Sequence, residues 1–147
     1  IRVRAVGGTA LALHGLPIPV KDIDLDLDTA GIYRFGELFA DHTVQPVGRS
    51  ENVPYRSHFG RFDFDGLVVE VMSDLEWREG DSWRPIVNVT EMDIELEGVP
   101  VTVPWLEEEM LAYVRRGKLE RAAQALRCCD QARLLALLRG DVKTGVV

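Results

Sequence analysis

The sequence contains little cysteine, no long apolar run and no surplus of positive charge. Its two cysteines, Cys128 and Cys129, are adjacent, and neighbouring cysteines cannot easily form an unstrained disulfide, so a reducing cytoplasm is expected. No stretch approaches the roughly eighteen apolar residues that a membrane span requires. The formal net charge is −7, from 17 Lys and Arg against 24 Asp and Glu, which argues against a broad nucleic-acid-binding surface.

Repeats, low-complexity segments and linkers are also absent, and the sequence does not begin with methionine. It opens at Ile1, so we expect that a native N-terminal segment can precede it. A chain of 147 residues suits one domain that buries about two thirds of the surface of its unfolded form. We therefore predict a single domain over residues 1–147, with a sheet-containing core at 1–103 and C-terminal helices at 104–140.

Hydrophobic periodicity, glycines and prolines predict an α+β fold in which a mixed β-sheet packs against helices. Strands are predicted at 2–6, 21–28, 43–47, 56–64, 67–72 and 94–103, and helices at 9–15, 31–39, 104–116 and 119–138. The Asp65-Gly66 pair predicts a tight type I′ turn, because both residues tolerate positive φ angles. The two cysteines fall within the last predicted helix, where we assign them packing roles.

The predicted strand at 21–28 alternates acidic and aliphatic residues. Since residues two apart on a strand point the same way, Asp22 and Asp24 should project from one face roughly 6.6 to 7 Å apart. Asp26 and Asp28 continue the row, and four like charges in a line repel one another unless water or cations screen them. A shared metal ion is one interpretation. The alternative is an edge strand whose solvated acidic face prevents aggregation.

A glycine turn, Gly7-Gly8-Thr9, lies between the first predicted strand and the first helix. Glycines there allow backbone N–H groups to approach a phosphate closely. The hydroxyl of Thr9 could contact that phosphate or cap the helix, and the two roles are compatible. The acidic strand follows fourteen positions after Gly8, and phosphate chemistry needs both an anion cradle and carboxylates that hold Mg²⁺.

Two segments, Val6-Gly7-Gly8 and Asp22-Ile23-Asp24-Leu25, together resemble the signature of the nucleotidyltransferase superfamily. That superfamily includes DNA polymerase β and the minimal and antibiotic-modifying nucleotidyltransferases. The resemblance implies the nucleotidyltransferase fold, a triphosphate bound by Gly7, Gly8 and Thr9, and metal ions coordinated by Asp22 and Asp24. Asp26 lies outside the pattern, and we treat it as a residue that supports the ligands.

The family also carries a third acid on a neighbouring strand, which serves as a metal ligand and as the base for the attacking group. Glu70, within Val69-Glu70-Val71, is the best match. Asp63, within Phe62-Asp63-Phe64, has the same surroundings on the preceding strand and is the main competitor. For either residue, the alternative is an ordinary solvated acid on a strand.

The resemblance implies a metal-dependent transfer of a nucleoside monophosphate, AMP from ATP, to a hydroxyl of a small molecule or a protein. Mg²⁺ or Mn²⁺ is the expected cofactor, pyrophosphate the leaving group and the cytoplasm the location. The alternative function is a weakly active or inactive antitoxin-like component that binds a partner protein. A homodimer would be consistent with either. RNA modification is the least favoured function because the chain is acidic.

Overall fold

The computed structural model describes residues 2–142, which form the mixture of strands and helices expected of an α+β protein. In chain order the elements are β1 (Val3–Ala5), α1 (Gly7–Leu13), β2 (Ile23–Leu27), α2 (Thr29–Leu38), a short 3₁₀ helix (Ala40–His42), β3 (Thr43–Asn52), β4 (Tyr55–Phe64), β5 (Leu67–Glu79), β6 (Ser82–Pro85), β7 (Met92–Leu96), β8 (Val99–Val103), α3 (Leu106–Arg115), α4 (Leu119–Leu126) and α5 (Gln131–Arg139). None of the helices within residues 2–142 is long and apolar enough to span a bilayer.

These elements group into two compact units. The sheet unit contains residues 2–4 and Lys21–Val87, and the helical unit contains Ala5–Val20 and residues 88–142. The chain therefore leaves the sheet unit after the first strand and returns to it before β2. Our prediction of one domain divided near residue 103 stays a prediction.

The sheet unit is built on a mixed sheet in which the strand order is β1-β2-β5-β4-β3, with β6 paired to β5. Strand β2 runs parallel to β5, whereas β4 runs antiparallel to both β3 and β5. The mixed sheet predicted from the sequence is confirmed. The parallel pairing matters for function because it places β2, the acidic strand, directly beside β5.

One face of this sheet packs against α2 and forms the core of the sheet unit. Leu27 and Val71 on the strands and Ile32 on α2 are almost entirely buried there, together with Phe62 of β4. Ile23 and Leu25 of β2 pack against the same cluster, so the acidic residues between them face the other side of the sheet. The alternation along the sequence had predicted this division.

The β4–β5 hairpin confirms the predicted Asp65-Gly66 turn, whose two residues have φ values of 55° and 93°. Both strands of the hairpin are nevertheless longer than predicted, and β5 continues to Glu79. The polar pair Ser73-Asp74 interrupts the alternation of β5, and Asp74 has a φ of 50°, which is typical of a bulge. Beyond that irregularity β5 pairs with β6, a strand that the sequence analysis did not predict.

The helical unit has its own core, formed where α1 packs with α3 and α4. Leu11 of α1, Leu106 and Met110 of α3 and Ala125 of α4 are buried in it. A two-stranded hairpin of β7 and β8 precedes α3, in the region where one longer strand had been predicted. The turn of this hairpin places Glu97 and Gly98 at positive φ.

Two helix predictions were wrong in detail. The helix predicted at 119–138 is two helices, α4 and α5, because Asp130 caps a new helix by accepting a hydrogen bond from the backbone N–H of Arg133 at 2.9 Å. Cys128 and Cys129 therefore lie in the connection between α4 and α5 rather than inside a helix. The first helix begins at Gly7, two residues earlier than predicted.

Candidate active site

Asp24 and Glu70, two of the three predicted catalytic carboxylates, are neighbours on the sheet. Asp24 of β2 and Glu70 of β5 are partners in the parallel register, so their side chains leave the same face from backbones about 4.8 Å apart. That face is the one opposite α2. Asp22, the third residue of the predicted set, is exposed and lies one residue before β2 begins. The strand pairing thus brings Asp24 and Glu70 together and leaves Asp22 at the entrance to β2.

Arg61 stands on the other side of Glu70. It is the register partner of Glu70 on β4, and its Nε and Nη2 atoms donate to the Glu70 Oε1 atom at 3.0 and 2.6 Å. Asp24, Glu70 and Arg61 therefore form a row across three adjacent strands. From the sequence, Arg61 is one of three arginines near the hairpin that could reach a triphosphate or acceptor, and a solvated side chain is the favoured interpretation. Counting back from the Asp65-Gly66 turn would have paired it with Glu70.

The last two acids of the β2 row have structural partners. Asp26 accepts a hydrogen bond from Arg4 at 2.9 Å, and burial raises the pKa of its carboxyl although Arg4 acts in the opposite direction. Asp28 caps α2 by accepting a hydrogen bond from the backbone N–H of Gly31. These contacts account for two of the four acids in the row as ordinary stabilising interactions.

Asp63, the competitor of Glu70, lies near the hairpin turn. Its Oδ1 atom accepts a hydrogen bond from the backbone N–H of Gly66 at 2.6 Å, so its carboxylate closes the turn. Its register partner on β5 is Val68. Of the two candidates for the third acid, only Glu70 is in register with Asp24.

The predicted nucleotide-binding residues, Gly7, Gly8 and Thr9, form the first turn of α1 in the helical unit. Gly7 has a φ of 60°, and a Cβ atom added to Gly8 would meet no other atom within 4 Å, so there is open space beside Gly8. Thr9 is buried inside the first turn, and the N-cap position is occupied by Val6 rather than by Thr9. Thr9 therefore does not stand at the N-cap position of α1.

The backbone N–H of Gly7 is hydrogen-bonded inside the protein. It donates to the Oε2 atom of Glu109 at 3.2 Å, and Glu109 is only 4% exposed. The sequence analysis had assigned no role to this glutamate. A buried carboxylate of α3 therefore holds the start of the glycine turn, and the amide of Gly7 already has an acceptor.

The neighbours of Glu109 on α3 hold other segments of the helical unit in the same way. Glu107 is buried and accepts a hydrogen bond from the backbone N–H of Asp130 at 3.2 Å. Glu108 accepts hydrogen bonds from the backbone N–H groups of Val89 and Thr90 at 2.6 and 2.9 Å. The three consecutive glutamates at 107–109 therefore make internal contacts, in addition to placing negative charge at the N-terminus of α3.

The candidate metal ligands suit a hard divalent cation by their chemistry. Mg²⁺ prefers oxygen ligands and is usually held by one or two carboxylates together with substrate phosphates, so the adjacent pair of Asp24 and Glu70 fits it. Within residues 2–142, however, no three His, Cys, Asp or Glu side chains are gathered closely enough to hold a metal by themselves. The carboxylates therefore fit an ion that arrives with its triphosphate better than an all-protein metal cage.

Comparisons with known proteins show similarity over most of the chain. Residues 1–127 match a family described as aminoglycoside-2''-adenylyltransferase. Among solved structures, a crystal structure of a Thermotoga maritima protein provisionally assigned as a nucleotidyltransferase is similar, with a TM-score of 0.73 and 32% sequence identity. The similarity covers 86% of this chain and 80% of the Thermotoga maritima chain. A comparison with curated protein sequences gives no match.

Proposed function

The chain belongs to the aminoglycoside-2''-adenylyltransferase family of nucleotidyltransferases, and on this premise we propose that it transfers AMP from ATP to a hydroxyl group. Pyrophosphate is the other product. The acceptor in this proposal is a small molecule, and the description of the family makes an aminoglycoside the first compound to test. A net charge of −7 suits such a polycationic acceptor.

The observation that carries this proposal is the register of Asp24 with Glu70. Two carboxylates on adjacent parallel strands are held at a separation set by the sheet rather than by flexible side chains. In phosphoryl transfer the protein contributes mainly positioning and charge stabilisation, so rigid placement of the ligands is what the reaction requires.

In the proposed reaction, Asp24 and Glu70 would hold a divalent cation together with the triphosphate, with Asp22 at the entrance to β2 as a further ligand, and the cation would supply neutralisation of the phosphate charge. The carboxylate of Glu70 accepts the proton of the acceptor hydroxyl, and the hydroxyl oxygen attacks the α-phosphorus of ATP. The bond from the α-phosphorus to the bridging oxygen breaks, and pyrophosphate leaves. Binding of the triphosphate by Gly7, Gly8 and Thr9 remains a prediction from the family pattern.

The experiment that tests the proposal is calorimetric titration of each nucleoside triphosphate in the presence of Mg²⁺. The wild type is compared with an Asp22→Asn/Asp24→Asn double variant, which keeps the side-chain shapes but removes two charges. An Asp93→Asn/Glu95→Gln variant is the matched control, because these acids alternate on β7 in the same way. We expect binding to be lost, with at least a tenfold weaker Kd, only in the first variant.

The antitoxin-like alternative is less well supported, because the matching family is described by an enzymatic activity. If the folded wild type bound no triphosphate, the proposed transferase activity would be wrong and binding of a partner protein would be favoured. If triphosphate binds, transfer of radiolabelled AMP to a panel of aminoglycosides tests the acceptor separately.

A further inference from the structure

We propose that Arg61 exchanges partners as the candidate active site fills. In the metal-free protein its guanidinium neutralises Glu70, and when a divalent cation takes Glu70, Arg61 passes to the phosphates of the bound triphosphate. This inference rests on the proposed function, because it requires both the cation and the triphosphate to bind beside Asp24 and Glu70.

The row of Asp24, Glu70 and Arg61 combines two negative charges with one positive charge. Asp24 and Glu70 are register partners, and two carboxylates this close repel each other unless a cation lies beside them. Arg61 supplies that cation from β4, with both of its hydrogen bonds directed to the single oxygen Oε1. The guanidinium thus neutralises Glu70 from the side away from Asp24, and it would compete with a metal for the same carboxylate.

The exposure of Arg61 to solvent allows its side chain to move. Its side chain is 43% exposed, against 19% for Glu70, and an ion pair with one partner in water contributes little to the stability of the fold. Arg61 can therefore leave Glu70 at low cost. The carboxylate, being less exposed and set by the sheet, stays where the cation would bind.

The phosphates of a bound triphosphate would offer the guanidinium of Arg61 new hydrogen-bond acceptors. A divalent cation on Glu70 would repel Arg61 and compete for the same carboxylate, whereas the triphosphate brings oxygens whose geometry suits a guanidinium fork. Arg61 lies on the strand next to Glu70 and two strands from Asp24, so a guanidinium released from Glu70 remains within reach of phosphates bound there. A single arginine would then stabilise the metal-free site and afterwards bind substrate.

A second arginine–glutamate pair on the same two strands supplies a matched control. Arg56 of β4 and Glu76 of β5 are register partners joined by two hydrogen bonds, as Arg61 and Glu70 are. Strand β2 pairs with β5 only through Val69–Met72, so Glu76 has no register partner on β2. Arg56→Gln therefore breaks the same kind of contact without changing the charge beside Asp24.

The test measures Mn²⁺ binding to the nucleotide-free protein. Electron paramagnetic resonance reports the concentration of the Mn²⁺ that remains free. Arg61→Gln should bind Mn²⁺ about three- to tenfold more tightly than wild type, because a competing positive charge is gone. Arg56→Gln should match the wild type. With saturating Mg²⁺, the affinity of Arg61→Gln for a non-hydrolysable ATP analogue should be about tenfold lower.

The outcomes separate this inference from the proposed function. If the wild type binds Mn²⁺ and Arg61→Gln binds it equally or less tightly, the exchange is overturned while the transferase proposal stands, and an unchanged affinity for the ATP analogue also overturns it. If neither protein binds Mn²⁺ without nucleotide, the exchange is overturned, whereas the transferase proposal is overturned only if the wild type also binds no triphosphate in the presence of Mg²⁺. Circular dichroism checks the fold, and Arg61→Met, an uncharged side chain of similar length, replaces the Gln variant if that variant is unfolded.

Discussion

Cys128 and Cys129 are neighbours in the sequence but differ in environment. Cys128 is exposed, whereas Cys129 is partly buried and its Sγ atom donates to the carbonyl of Ala125 at 3.3 Å. Burial, reinforced by the nearby carboxylate of Glu107, raises the pKa of Cys129 to about 12. Because only the thiolate is nucleophilic, Cys129 should be far less reactive at pH 8 than an exposed thiol.

We therefore expect brief iodoacetamide treatment at pH 8 to modify Cys128 and to leave Cys129 as a thiol. Intact mass spectrometry of three proteins measures this. Cys128→Ser should remove nearly all of the rapid labelling, whereas Cys129→Ser should label as fast as the wild type. Equal labelling rates for Cys128→Ser and the wild type would contradict the assignment.

At the scale of single elements, Gly60 shows why β4 can cross the core of the sheet unit. A Cβ atom at Gly60 would lie 2.8 Å from the Cγ2 atom of Val47 and 3.3 Å from that of Val71, and real Cβ atoms do not approach other atoms as closely as 2.8 Å. Val71 is fully buried and cannot move away easily. Glycine is therefore required by packing at this position.

Gly60→Ala should lower the free energy of unfolding by about 1–3 kcal/mol, since it overpacks a filled core. Gly48 on the adjacent strand β3 provides the control, because a Cβ atom there would meet nothing within 4 Å. Gly48→Ala should change stability by less than about 1 kcal/mol. Urea titrations of both variants measure the difference, and equal effects would show that the close approach to Val47 relaxes freely.

The first turn of α3 holds other segments of the helical unit by hydrogen bonds. Three consecutive glutamates, Glu107, Glu108 and Glu109, each accept hydrogen bonds from backbone N–H groups of other segments of the helical unit. Charged acceptors make stronger hydrogen bonds than neutral ones, and the amide of Gly7 would be buried without a partner if Glu109 were absent. The start of α3 thereby holds the glycine turn, the segment before β7 and the N-cap residue of α5.

At the scale of the whole molecule, each compact unit has its own hydrophobic cluster. Ile32 in the sheet unit and Leu11 in the helical unit are both 0% exposed. Ile32→Ala and Leu11→Ala should each lower the free energy of unfolding by about 2–5 kcal/mol, because each leaves a cavity in a core.

These two variants also test the prediction of a single domain. If the chain is one cooperative domain, either substitution should shift the same unfolding transition. Calorimetry and tryptophan fluorescence measure that transition. If each substitution moved a separate transition, the chain would comprise two independently folding parts and the prediction of one domain would be wrong.

Much of the fold could be predicted because the signals are local. The alternation of β2 and the Asp65-Gly66 turn are encoded within a few residues, so their placement required no knowledge of the rest of the chain. The family pattern likewise depends on two short segments. The prediction failed at residues 127–130, where the apolar spacing continues but the cap at Asp130 begins a new helix.

The sequence by itself determined which residues are candidates for the chemistry, because the family pattern consists of two short segments and one strand acid: Asp22, Asp24 and Glu70 among the acids, and Gly7 and Gly8 among the glycines. Only the tertiary structure decided which of them meet, because the register of Asp24 with Glu70 depends on parallel pairing of strands far apart in the chain. The same holds for Gly7, whose partner Glu109 lies 102 positions away. Contacts between distant residues depend on how the whole chain packs, and no local pattern in the sequence encodes that packing.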